Sequence, residues 1–251
     1  MYAIDITELD LSQNIAITCI GFSLLNVETL DFLNLAQLES LDISRSSVKE
    51  LNLTGNAALR FIILEATSIS DLDLSMNPSL LSLSLYETTL NDLDFSNNPL
   101  LGGFELIESS IRSGFLDFSK NEMLEYVLIC DSNVEIINSK NGKDFIEFLF
   151  CDPDEFISYI CVEQDFAQAL SNQLRDSSDD HIQVSSFCTF DPGGEVHEIS
   201  GNIFYGSPDC DLDLQRSIRL QVTDGIDSLT YHTSDTLDSV SYTHLTLPTK
   251  A

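Results

Sequence analysis

Residues 72–85 read LDLSMNPSLLSLSL, and twenty-one places on residues 93–106 read LDFSNNPLLGGFEL. Each stretch holds two short runs in which an apolar residue alternates with a polar one, separated by Asn-Pro. Strand side chains alternate between faces, so Leu72, Leu74, Leu83 and Leu85 share an inner side and Asp73, Ser82 and Ser84 an outer one. Asn77-Pro78 suits the corner between the two runs. Each unit thus reads as two strands joined by a turn, with little room for a helix.

The pattern extends both ways. Aligned on the first apolar residue of the triplet, units start at Leu9, Leu30, Leu51, Leu72, Leu93, Leu116 and Ile137. The step is 21 residues throughout, except for 23 between Leu93 and Leu116. An apolar residue stands three places earlier in each (Ile6, Val27, Val48, Ile69, Leu90, Val134), with Ser113 the exception. Asn follows five places later at Asn14, Asn56, Asn77, Asn98 and Asn121, with Leu35 and Gly142 departing. The second triplet persists into the last unit as Phe145, Phe148 and Phe150. LxxLxLxxN at a fixed short period resembles a leucine-rich-repeat solenoid, of the short bacterial class in which the halves of a unit mimic one another. The expected fold is mainly β: about seven 21-residue coils over residues 1–150, with parallel strands on both faces. At about 4.8 Å per coil the stack is roughly 30 Å long.

Outward positions give the two faces different chemistry. The first carries Asp10, Asp31, Asn52, Asp71, Asp73, Asp92, Asp94 and Asp117, an acidic row flanked by hydroxyls. Like charges about 5 Å apart repel, which predicts raised carboxyl pKa values or attracted counter-ions. The row reads either as a solvated surface or as a site for Ca2+ or a basic partner; calcium needs six to eight converging oxygens, which a flat row does not guarantee. The second face is mixed, with Phe61, Ile63, Tyr86, Ile107, Tyr126 and Leu128 directed outward. Exposed apolar clusters rimmed by polar groups mark contacts with another domain or chain, or ligand recognition.

Composition narrows the partners. Eleven Lys and Arg stand against 41 Asp and Glu, a net charge of −30, which disfavours nucleic acid and favours cations and basic surfaces. No stretch has the ~20 apolar residues of a membrane-spanning helix. MYAIDITELDL shows no signal peptide, yet Ile6 is already in register, so the chain reads as a fragment that starts inside the solenoid.

After Phe150 the repeat stops. Residues 151–192 read as a cap, with a helix near 163–175 marked by Phe166, Leu170 and Leu174. The run YIC, an acidic helix and SSFCTFDPGG resemble the C-terminal cap of secreted or surface-anchored bacterial leucine-rich-repeat proteins, including adhesin-like ones. Ile182 stands where such proteins often carry a second cysteine. Of the cysteines, Cys19 and Cys130 fall on outward positions and read as isolated thiols. Cys151, Cys161 and Cys188 lie around the cap, where one disulfide is expected, Cys161–Cys188 first among the pairings. Cys210 lies further on, and no CxxC occurs, so a zinc ribbon has no support. Residues 193–238 alternate in short strands and look like the start of an immunoglobulin-like or carboxypeptidase-regulatory-like β-sandwich, truncated. SVSYTHLTLPTKA (239–251) is unrelated to what precedes it and resembles translated adapter read-through, a non-native tail.

Nothing catalytic is legible. The histidines, His181, His197, His232 and His244, lie outside the repeats, and no nucleophile–base set appears within them. The resemblance implies a non-catalytic recognition or adhesion module, extracellular or at the cell surface, binding a protein or glycan through the solenoid faces, without a cofactor. The alternatives are an accessory domain of a larger secreted enzyme and a calcium-stabilised stalk.

Overall fold

The structure, a computed structural model, describes residues 9–11, 13–151, 156–175, 179 and 181–186, and four strands beyond them. The chain divides into two compact units, Met1–Ser185 and Ser186–Ala251. The first contains strands β1 (Cys19–Ser23), β2 (Thr29–Asp31), β3 (Ser40–Ser46), β4 (Glu50–Asn52), β5 (Phe61–Thr67), β6 (Ser82–Tyr86) and β7 (Thr89–Leu90). They are followed by β8 (Gly103–Ile107), β9 (Ser110–Ile111), β10 (Phe115–Asp117), β11 (Tyr126–Cys130), β12 (Ile136–Asn138) and β13 (Glu147–Phe150). The cap adds β14 (Tyr159–Cys161), α1 (Gln164–Arg175) and β15 (Gln183–Ser185).

The expected mainly β solenoid is what forms. The second run of each unit joins a seven-stranded parallel sheet in the order β1-β3-β5-β6-β8-β11-β13. Register steps by one period at each rung, as in Phe61↔Ser82 and Ser82↔Gly103. The first runs pair less continuously, as β2-β4 and as β10-β12-β14-β15, with β7-β9 one corner earlier. Residues 71–74 and 92–95 run between these ladders without joining one. Here side chains take up backbone donors: Asp92 Oδ1 accepts from Leu93 N at 2.9 Å and Asp73 Oδ1 from Ser75 N at 2.9 Å.

One continuous core fills the stack, including Leu80, Leu83, Leu85, Leu101, Phe104 and Leu106, all fully buried. Each such side chain contributes about 2 kcal/mol by leaving water. Phe95, Phe104 and Phe118 form an aromatic knot with ring centroids 5.1–5.5 Å apart, within the favourable range for aromatic pairs. The two-residue insertion after Leu93 is absorbed at the same place. Ile111, fully buried and paired with Leu90, takes the inward position that alignment gives to Ser113. The extra residues turn through Gly114 at φ +64°, a left-handed conformation that glycine adopts without steric cost.

The corner asparagines are a hydrogen-bonded ladder. Asn77 Nδ2 donates to Leu53 O (3.1 Å) and Asn56 O (2.9 Å), and Asn98 and Asn121 repeat the arrangement one coil on. In the last coil Asn141, one place before the alignment position, donates to Asn121 O at 2.8 Å. Gly142 is therefore no departure from the ladder.

A second ladder lies after the second strand. Leu24, Arg45, Ala66, Glu87, Glu108 and Asp131 all take φ between 48° and 62°, one per coil. The residue after each, from Arg45 on, carries a hydroxyl. Thr88 Oγ1 donates to Tyr86 O in its own coil (3.0 Å), and Thr88 N donates to Ser109 Oγ of the next (3.0 Å). The left-handed residue turns the chain at the strand end, and the hydroxyls of Ser46, Thr88 and Ser109 bond backbone groups there, whereas Thr67 Oγ1 is buried without a partner. A left-handed non-glycine residue costs about 1 kcal/mol. Ala66→Gly is accordingly expected to raise stability by about 1 kcal/mol, less the extra freedom gained by the unfolded chain. A denaturation midpoint that falls would show that the conformation is unstrained.

The cysteines correct the sequence reading. Cys130 is no isolated thiol: it forms a disulfide with Cys151, Cα–Cα 4.8 Å, across one period of 21 residues. Both occupy the same place in successive coils, so stacking brings them together. Cys151 is thereby removed from the expected cap pairing. Cys161 is itself disulfide-bonded, and Cys188 lies outside the described residues. Cys19 is exposed and free. Helix α1 buries Phe166, Leu170 and Leu174, with Asp165 in its first turn and Arg175 in its last, both favourable to the helix dipole.

In the second unit Ile218–Thr223 pairs antiparallel with Ser228–Thr233, and Val196–Glu198 with Thr246–Pro248. The second pairing includes part of the segment read as a foreign tail.

Candidate functional site

The seven-stranded sheet presents three outward columns, one residue per strand. They run Ser40-Phe61-Ser82-Gly103-Tyr126, Asp42-Ile63-Ser84-Glu105-Leu128-Leu149 and Ser44-Glu65-Tyr86-Ile107-Cys130. Phe61, Ile63 and Leu149 are about two-fifths exposed (42%, 39% and 42%). Tyr86, Ile107, Tyr126 and Leu128 are half-buried. All six apolar and aromatic residues singled out on this face therefore share one sheet surface.

Two tyrosines grip a carboxylate at its centre. Tyr86 Oη donates to Glu105 Oε2 at 2.5 Å, and Tyr126 Oη donates to Glu105 Oε1 at 3.3 Å. The Tyr126 ring lies over Gly103, where a Cβ would fall 2.5 Å from Cε1. The Gly102-Gly103 pair is explained by this close approach at its second member. Burial, then the hydrogen bond to Glu105, push the Tyr86 phenol up to about 12, and burial also raises Tyr126. Both stay protonated donors across the physiological range, which fixes the rings as a rigid amphipathic platform.

Beside the platform the surface dips into an open recess of about 250 Å³ lined by Asp42, Ile63, Glu65, Tyr86, Glu87, Ile107 and Glu108. Glu87 and Glu108, which line it, come from the left-handed rail. Arg45 bonds Glu65 at 3.1 Å, and the Arg60 guanidinium lies 5.5 Å from the Phe61 ring centroid. Strand alternation places Asp42, Glu65 and Glu105 outward on this face, in the same columns as Ile63 and Tyr86, without singling them out as site residues; Glu87 and Glu108 do not follow from it.

The first face is organised differently. Asp31, Asp73, Asp94 and Asp117 each accept the backbone N–H two residues on, at 2.8–2.9 Å. Asn52 and Asn138 do the same at 3.2 Å, and each donates its amide to the aspartate one coil before, Asp31 and Asp117. The row is thus a set of Asx turns ending each first strand, with amides inserted between carboxylates. Asp71 accepts from Asn91 (2.9 Å) and Ser70, and Asp92 accepts from Ser113 at 3.1 Å. Asp10 is exposed on the same side.

The expected upward pKa shift does not occur where a shift is resolved. Hydrogen bonds from Asn91 and Ser70 hold Asp71 below 3.8, and those from the Ser75 hydroxyl and backbone hold Asp73 below it too. Donated hydrogen bonds outweigh repulsion between exposed charges. A carboxyl with a depressed folded pKa adds stability above its unfolded value and loses it as pH falls through the folded one. Asp73→Asn keeps the Asx acceptor, as Asn52 does, but cannot titrate. It is expected to leave neutral stability within about half a kcal/mol and to flatten the decline below pH 3.8. A variant as acid-sensitive as the wild type would remove Asp73 from that decline.

Among the described residues no three His, Cys, Asp or Glu side chains converge as metal ligands. No helix among them is long and apolar enough to cross a membrane.

No protein-family model matches the chain, and no curated protein matches its sequence. Among solved structures it is similar to the functional domain of InlJ from Listeria monocytogenes, described as including a cysteine ladder, at 22% identity and a TM-score of 0.51. The match covers 64% of this chain and 39% of that one. At that identity the likeness is one of fold, and the fold is a leucine-rich-repeat β-solenoid.

Proposed function

We propose that this chain is a non-catalytic recognition module of an extracellular or cell-surface protein, and that it binds a protein or glycan through its seven-stranded face. The observation that carries the reading is the platform of Tyr86 and Tyr126 around Glu105, set between exposed Phe61 and Ile63 and the acidic recess. Aromatics held by half-buried hydrogen bonds present contact area at low entropic cost, as binding surfaces require. The carboxylates of the first face already serve coil construction, so ligand recognition is assigned to the second. Two disulfide-bonded positions, Cys130–Cys151 and Cys161, fit an oxidising compartment. The fold shared with InlJ, whose chain is larger, is compatible with surface presentation.

The full chain screened against arrayed glycans and arrayed protein ectodomains is expected to give hits. Tyr126→Ala is expected to weaken them by about tenfold or more, with the circular dichroism spectrum unchanged. Hits that bind Tyr126→Ala and Ile63→Ser as well as the wild type would move the site off this face.

A further inference from the structure

Resting on that reading, we infer that the partner is a polypeptide segment bearing Lys or Arg beside an aliphatic residue, its cation seated between Glu87 and Glu108 and its aliphatic part on Ile63, Ile107 and Tyr86. Three observations converge. The recess is amphipathic: its lining combines Ile63, Ile107 and the Tyr86 ring with four carboxylates. Only one of these is ion-paired among the described residues, Glu65 with Arg45 at 3.1 Å. Second, the rim charges are held away from neutralising partners by the fold. Glu87 and Glu108 sit on the left-handed rail, exposed, one coil apart, and neither side chain makes an ion pair among the described residues. Third, the chain as a whole carries −30, a field that concentrates cations at the recess and speeds their encounter.

Lysine and arginine match this surface by construction. Their methylene stems pack on apolar groups while the charged head reaches polar ones. A neighbouring aliphatic residue on the same segment finds the exposed Ile63 and Phe61. Acidic glycans are repelled by the same carboxylates. A neutral glycan would meet hydrogen-bond acceptors, but it would draw nothing from the field of the chain and would leave the rim charges unpaired.

The test uses fluorescently labelled synthetic peptides with the full chain, read by anisotropy at low and physiological salt. An alternating Lys-Ile peptide is expected to bind, a Glu-Ile peptide not to bind, and a Lys-Ser peptide to bind at least about tenfold more weakly than Lys-Ile. Glu87→Gln with Glu108→Gln is expected to weaken Lys-Ile binding about tenfold and reduce its salt dependence. Ile63→Ser is expected to weaken it several-fold without changing the salt dependence. Equal binding of Lys-Ile and Lys-Ser, or equal binding by the glutamine variant, overturns the inference, since charge attraction anywhere on the chain then suffices. Neutral oligosaccharides that bind and are lost in Tyr126→Ala, with no peptide bound, overturn the inference and leave the recognition surface standing. Binding of neither overturns both.

Discussion

Asn98→Asp is expected to destabilise the solenoid by about 4 kcal/mol at neutral pH, although it changes one amide into an isosteric carboxyl. Asn98 is fully buried, and its Nδ2 lies 3.0 Å from Leu74 O and 2.9 Å from Asn77 O. Those carbonyls also accept backbone N–H groups, from Asn77 and Leu80, so their loss of the amide is partial. The larger cost is the replacement itself, which points an ionised oxygen at two carbonyl oxygens in a fully buried corner. Burial raises the pKa of the introduced carboxyl. A group whose folded pKa is raised contributes most below its unfolded value near ~4 and loses that contribution as pH rises. The deficit relative to wild type, measured at matched pH, is therefore expected to narrow from pH 7 towards pH 4. Asn98→Ala serves as the control, with a deficit of about 2 kcal/mol that does not depend on pH. Equal and pH-independent deficits for the two variants would mean that loss of the amide alone sets the cost and that the introduced carboxyl adds no buried charge.

That ladder also shows what the sequence makes legible. Leu72, Leu74, Leu80, Leu83 and Leu85 announce the core because stacking forces the same apolar positions in every coil, and all are buried. Asn77 and Asn98 announce the corner for the same reason. Where a coil shifts by a residue or two, the pattern misleads: Asn141 and Ile111 fill positions that strict spacing gives to Gly142 and Ser113. The left-handed rail left no trace, because Arg45, Ala66, Glu87 and Glu108 are not the residues that usually mark such a conformation. Their strain is over-determined by the neighbouring coils rather than relieved locally. The same blindness hid Glu87 and Glu108, which sit on that rail and line the recess, whereas Phe61, Ile63, Tyr86 and Tyr126 follow directly from strand alternation. The aspartates of the first face stood out as an acidic row, but their work as Asx acceptors depends on a turn that charge alone does not reveal.

The second large effect concerns the end of the stack. Replacing Cys130 and Cys151 together by Ser is expected to cost about 3 kcal/mol, from the closure of a loop of about twenty residues in the unfolded chain. The serine pair is preferable to reductant, because Cys161 is disulfide-bonded as well. In a solenoid each coil touches only its neighbours, so the loss need not spread. Strand β13 is the edge of the seven-stranded sheet and pairs with β11 alone. The disulfide joins β11 to Cys151, immediately after β13, and so holds an edge that would otherwise fray. Amide exchange at Glu147–Phe150 is expected to accelerate about a hundredfold in the serine variant, while β3 and β5 exchange nearly as before. A uniform acceleration across all seven strands would instead make the disulfide a global stabiliser and the solenoid a single cooperative unit. Exchange unchanged at β13 would show that cap packing alone secures the last coil. The local outcome is favoured by the position of the bond, one period long and joining only the last two strands of the sheet, where it restrains the final coil.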